Sequence, residues 1–98
     1  MPSEIFIFAR FHAKKGLQDS VAAAIKEVLS PTEKEPGCLY IHAFRAIRDP
    51  QQFYIHSRWQ DEAAFDHHTR LPHTVRFLEK VQSLIDHSLD VSRTRPLG

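Results

Sequence analysis

Phe53–His73 reads FYIHSRWQDEAAFDHHTRLPH, and the order of elements within it decides the fold. Phe53 to Trp59 is rich in aromatic and β-branched residues and reads as a strand. Asp61 suits a helix N-cap, because its carboxylate can accept from the free amides of a first turn, and Glu62 to His68 follows as a short helix. Leu71-Pro72 sets proline where a new helix can begin. A strand, a short helix, a corner and a second helix thus succeed one another. Trp59, His67, His68 and His73 gather at their ends, and a chemical site is expected there.

Upstream, Cys38 to Ile47 reads as a strand, joined to the Phe53 strand through Arg48–Gln52, a turn of hairpin length. Glu4 to His12 is another strand, apolar on both parities at its start and therefore covered on both faces. Lys14-Lys15-Gly16 breaks it. From Leu17 to Leu29, the residues Leu17, Val21, Ala24, Ile25, Val28 and Leu29 form a single helical stripe. This helix is expected to stop at Ser30-Pro31, since proline disfavours helical geometry in the residue before it. Thr32–Gly37 is then a polar loop closed by a Pro-Gly turn. Downstream, Val75, Phe77, Leu78, Val81, Leu84 and Ile85 make the apolar face of the last helix, and Ser88 to Arg95 reads as a final strand.

The order β-α-β-β-α(α)-β predicts an α+β fold. It is the ferredoxin-like split β-α-β-β-α-β pattern, an antiparallel sheet with helices on one face. Residues 1–98 form a single domain. Strand parity puts Ile5, Ile7, Ala9, Phe11, Leu39, Ile41, Ala43, Phe53, Ile55, Ser57 and Trp59 under the helices. The other face carries Phe6, Phe8, Arg10, His12, Tyr40, His42, Phe44, Tyr54, His56 and Arg58. So many rings with hydrogen-bonding capacity fit a protein interface, and a symmetric homodimer packed sheet against sheet is expected.

With 13 basic and 12 acidic residues interspersed, the net charge of +1 gives no basic field for nucleic acid. No apolar stretch approaches the roughly 20 residues that span a bilayer, and MPSEIFIFARFH does not read as a signal peptide. A single cysteine, Cys38, excludes an intrachain disulfide and suits a reducing compartment, so the chain reads as cytoplasmic. Cys38 itself reads as a small buried hydrophobe. There is no glycine-rich phosphate loop to support nucleotide or flavin binding. Histidine is the unusual count: seven, against two Tyr and one Trp.

Glu35-Pro36-Gly37-Cys38-Leu39, the pairing of Phe53 with Trp59-x-Asp61-Glu62-x-Ala64, and His68-x-x-x-Pro72-His73 together resemble the antibiotic biosynthesis monooxygenase (ABM) family, over nearly the whole chain. The resemblance implies a dimeric α+β barrel with a pocket in each subunit between the sheet and its helices. It also implies cofactor-free oxygenation of quinols or anthrone-like polyketides, the activity of known members. Related branches include a haem-degrading group and an isomerase of a phosphorylated signalling sugar. Many relatives have Glu where this chain has Ser57, and a Tyr where it has Ile41. The haem-degrading branch relies on an Asn and a Trp in regions that here read Ala9-Arg10-Phe11 and Asp66-His67-His68, so no haem is expected.

Oxygenation without a cofactor needs a substrate that can itself give electrons to O2. From the protein it needs a general base near neutral pKa, donors for the anion formed, and a dry aromatic-lined pocket. His68 and His73 are the catalytic candidates, as base and oxyanion partner in either order. Trp59, Phe65 and Phe77 are expected to line the pocket, Ser57 to hydrogen-bond the substrate, and Ala9 and Ile41 to complete the wall. Each has a purely structural counterpart: His73 bonding backbone at a helix start, His68 capping a helix C-terminus, Trp59 filling the core. His67 is expected to face solvent. For a metal, the His67-His68…His73 spacing lacks the helical i, i+4 pairing, and His12, His42 and His56 fit an aromatic–imidazole interface better than a ligand set. No metal and no cofactor are therefore expected. The alternative function is an isomerase or non-redox binder of a small carbonyl compound in the same pocket; Arg70 or Arg76 reaching that pocket would point to a phosphorylated ligand.

Overall fold

The computed structural model describes residues 3–98. Its elements are β1 (Ile5–His12), α1 (Gln18–Glu33), β2 (Cys38–Arg45), β3 (Gln52–Trp59), α2 (Glu62–His68), α3 (Pro72–Gln82) and β4 (Asp90–Thr94). The strands form one antiparallel sheet in the order β2-β3-β1-β4, the ferredoxin-like arrangement. Register lays straight rows across it. Ile41, Ser57, Ile7 and Arg93 form one row on the inner face, and Ala43, Ile55, Ala9 and Val91 form the next. Small side chains at Ala43, Ala9 and Ser57 keep this floor low in the middle. Around it, Phe11, Val21, Ile25, Val28, Phe53, Phe77 and Val81 pack as the main core, while Ile5, Ile7, Trp59 and Phe65 form a second cluster.

Tertiary packing corrects several local expectations. α1 runs through Pro31 to Glu33 instead of stopping at Ser30. Proline forfeits its own amide bond, but Thr32 beyond it is fully buried and its carbonyl accepts from Glu35 N–H at 3.1 Å, so burial outweighs the local bias. Leu39, expected under the helices, is 47% exposed. A register shift between Cys38 and Tyr40 bulges the strand there and turns Cys38 inward in its place. β2 ends at Arg45, leaving Ile47 in solvent. α3 ends at Gln82, before Leu84 and Ile85, and buries Thr74 while Val75 is exposed. β4 is shorter than Ser88–Arg95.

Two glycines are fixed by geometry. Gly16 has φ +87°, the left-handed region that lets the chain turn out of β1. Gly37 has ordinary backbone angles but lies so close to α2 that a Cβ on it would overlap the Ala64 Cβ. Its carbonyl accepts from Gln60 N–H at 2.9 Å. The start of β2 and the first turns of α2 are therefore pressed together.

Candidate active site

Between the inner sheet face and the three helices lies a cavity of about 340 Å³. This is at the small end of the ~300–1,000 Å³ usual for ligand pockets. Ile7, Ala9, Ile41, Ile55, Phe65 and Phe77 make its wall mostly apolar; Thr32, Ser57, His68, Thr69, Thr74 and Arg93 supply the polar positions. Of the residues named from sequence, Ala9, Ile41, Ser57, Phe65, Phe77 and His68 are on this wall. Trp59 and His73 are behind it.

Trp59 is fully buried, with its indole N–H donating to Ser57 Oγ at 2.9 Å. Its ring meets Phe65 edge-on at 5.6 Å and lies 4.7 Å from the His68 imidazole. Phe65 closes on the same imidazole at 5.5 Å. α2 brings these rings together. Asp61 caps it, accepting from Ala64 N–H at 2.8 Å, and places Phe65 and His68 one turn apart on its inward face. His67, between them, is exposed.

Glu35 joins the two candidate histidines, and sequence reasoning assigned it no role. His68 Nδ1 lies 2.7 Å and His73 Nε2 2.8 Å from the same carboxylate oxygen, Glu35 Oε2. The Glu35 side chain is only 6% exposed. Its other oxygen, Oε1, is buried with no hydrogen-bond partner among the described residues, as is Thr32 Oγ1. Pro36-Gly37 marked a turn, so the acid before it read as one of several solvated loop charges. The extension of α1 and the Gly37 contact carry it inward instead. The one available signal was its place at the head of the Glu35-Pro36-Gly37-Cys38 motif.

Burial between Trp59 and Phe65 pushes the His68 pKa below 6.5. The hydrogen bond and charge of Glu35 pull the other way without overcoming it, and nearby His73 adds to the lowering. His68 is thus a neutral imidazole at pH 7. A carboxylate accepts, so the His68 proton sits on Nδ1 and the lone pair on Nε2. Thr74 Oγ1, 3.2 Å from Nδ1, supports the same ring orientation. Cys38 is unsuited to nucleophilic work: burial, then the charges of Glu35 and Glu33, push its thiol up to about 11.

Glu35, His68 and His73 offer ligand atoms that all lie within 4.8 Å of one another. Two imidazoles and a carboxylate are a composition that divalent metals use. The 2.7 and 2.8 Å separations are those of charge-assisted hydrogen bonds, and the trio is fully connected as an acid–base array.

Residues 4–89 match the antibiotic biosynthesis monooxygenase family. The chain belongs to that family. It is 24% identical, over 99% of its length and 95% of the relative's, to Rv0793 of Mycobacterium tuberculosis, whose name assigns it provisionally as a monooxygenase. The structure of Rv0793 superimposes with a TM-score of 0.93, covering 98% of this chain and 97% of that one at 22% identity. PA3566 of Pseudomonas aeruginosa gives a TM-score of 0.91 over 100% and 98% of the two chains, also at 22% identity. At such identities these structures establish the shared fold, the ferredoxin-like α+β arrangement of ABM domains. Among the described residues no helix is long and apolar enough to cross a membrane.

Proposed function

We propose that this ABM domain is a cofactor-independent monooxygenase acting on a quinol, anthrone or similar polyphenol. One observation carries the reading: His68, oriented by Glu35 through Nδ1 and kept neutral by burial against Trp59 and Phe65, lies on the wall of a mostly apolar cavity. An apolar slot suits a planar ring. Arg93 is the one arginine or lysine on its described wall, and Glu62 at 3.0 Å and Asp66 at 2.6 Å already engage its Nη1. Neither Arg70 nor Arg76 lines the cavity, which weighs against a phosphorylated carbonyl ligand.

In this reading His68 Nε2 takes a proton from the substrate, and Glu35 stabilises the imidazolium through Nδ1–H. The substrate anion passes one electron to O2, and the resulting radical pair combines to form a C–O bond. The peroxide so formed takes the proton back from His68. Loss of the second hydrogen from the same carbon breaks the O–O bond and releases water. The balance is substrate CH2 (or ring CH of a quinol) plus O2 giving a carbonyl (or hydroxyquinone) plus H2O; every electron comes from the substrate. His73, on the far side of Glu35, holds the carboxylate in place and can share its charge.

We further propose a homodimer through the outer sheet face, in a cytoplasmic setting suggested by the single free Cys38. Phe8 and Phe44 are 49% and 53% exposed on that face, and His56 stacks on Phe8 at 4.5 Å. Light scattering at twice the chain mass, reverting to one chain mass in Phe8→Glu, is expected.

The activity test is oxygen uptake by metal-stripped protein with 1,4-dihydroxynaphthalene and anthrone, beside His68→Ala. Uptake that survives chelation and falls in the variant supports the reading. Uptake at the spontaneous rate with both compounds overturns it in favour of an isomerase or non-redox binder.

A further inference from the structure

Ser57 lies between Ile41 and Ile7 on a row that ends at Arg93, and it is both buried and on the cavity wall. An indole N–H is a donor only, so in the 2.9 Å contact Trp59 gives its proton and Ser57 Oγ accepts. The serine's own O–H hydrogen is left over, and no described residue accepts it. Its strand neighbours on that row are apolar, which leaves the cavity as the place for an acceptor. The same Trp59 ring lies against His68, so the base and this free donor share one side of the cavity.

We propose that Ser57 donates its hydroxyl proton to the substrate oxygen that becomes negative, and that Trp59 is the positioning residue that fixes Ser57 in the donating orientation. This rests on the reading that a phenol or enol is ionised in the cavity. The chemistry follows from donor count. With an N–H already on its oxygen, Ser57 is polarised as a donor, and a donor worth more to an anion than to a neutral hydroxyl selects the ionised substrate. It sits in low-dielectric surroundings where such a preference is strengthened. The ligand class is an uncharged hydroxyarene that becomes a phenolate when His68 takes its proton.

Anaerobic binding of 1-naphthol, whose phenol and phenolate forms are distinguished by absorbance, reads this without turnover. In Ser57→Ala the preference for phenolate over phenol is expected to fall ~10-fold, as for loss of one charge-assisted hydrogen bond. Trp59→Phe should lower it by less, and in a Ser57→Ala background by nothing further. The double variant leaves no orphaned indole N–H, so it keeps the test available if Ser57→Ala alone folds poorly. Unchanged phenolate preference in Ser57→Ala, or an equal Trp59→Phe effect with and without Ser57, overturns the proposal. The two proposals fail separately: the expected naphthol results without any oxygen uptake would remove the oxygenase reading and keep the donor, and the reverse pattern would remove the donor alone.

Discussion

Two histidine–carboxylate clusters in this molecule use the same side chains to opposite ends. In one, His68 sits between Trp59 and Phe65 with Glu35 at 2.7 Å, and burial drives its pKa down. In the other, His12 at the end of β1 has Asp86 at 2.6 Å on Nδ1 and Asp49 at 2.9 Å on Nε2, with its pKa raised chiefly by these hydrogen bonds. Carboxylates on both nitrogens hold an imidazolium, which can tie the β2–β3 turn to the α3–β4 loop but has no lone pair to offer. His87, stacked on His12 at 5.8 Å and bonded to Asp86, belongs to the same surface group. A carboxylate partner therefore does not define a catalytic histidine. What separates the clusters is desolvation on one side, and carboxylates on one ring nitrogen against both.

Activity separates the two histidines most widely. His68→Ala is expected to lose ~10²–10⁴-fold in oxygen uptake rate, the usual worth of a general base, whereas His12→Ala keeps the wild-type rate within a small factor. Glu35→Gln comes next, with a loss of ~10–100-fold and preserved folding by circular dichroism, because the amide keeps the shape but no longer fixes the imidazole or its charge. Equal losses in His68→Ala and His12→Ala would erase the distinction altogether.

The two rings also titrate apart. Proton NMR of the ring C–H signals should place His68 below 6.5 and His12 above it. The stability consequences have opposite signs. The contribution of neutral His68 is complete above pH 6.5 and shrinks as pH falls toward its lowered value, where the unfolded chain binds the proton better. That of protonated His12 is complete below pH 6.5 and is lost as pH rises through its raised value. The smallest expected effect is thermal: Asp86→Asn should lower the melting temperature slightly at pH 6 and leave it nearly unchanged at high pH. Calorimetry across pH checks both.

Much of this arrangement was legible in the residues. Phe53–Trp59, the Asp61 cap and Glu62–His68 follow from local propensity, and period-2 parity sorted the inner from the outer sheet face. Leu39 escaped because a bulge shifts parity by one residue without leaving a mark in hydrophobicity. Pro31 misled because its local bias is weaker than the burial of Thr32. The histidines could be singled out by their positions at element ends, but Glu35 could not. Its chemistry depends on a contact between the end of α1 and the far end of α2, separated by 33 residues of sequence. The donor character of Ser57 likewise becomes readable only when the Trp59 indole is seen to fill its acceptor side.

Gly37 links these observations mechanically. It faces Ala64 in the first turn of a helix whose last residue is His68. A methyl group at position 37 would act as a wedge under α2 with the helix as its lever. The opening at the imidazole would be larger than at the wedge, while a hydrogen bond at 2.7 Å tolerates only tenths of an ångström. The missing side chain of one glycine thus serves as a spacer gauge for an acid–base pair it never touches.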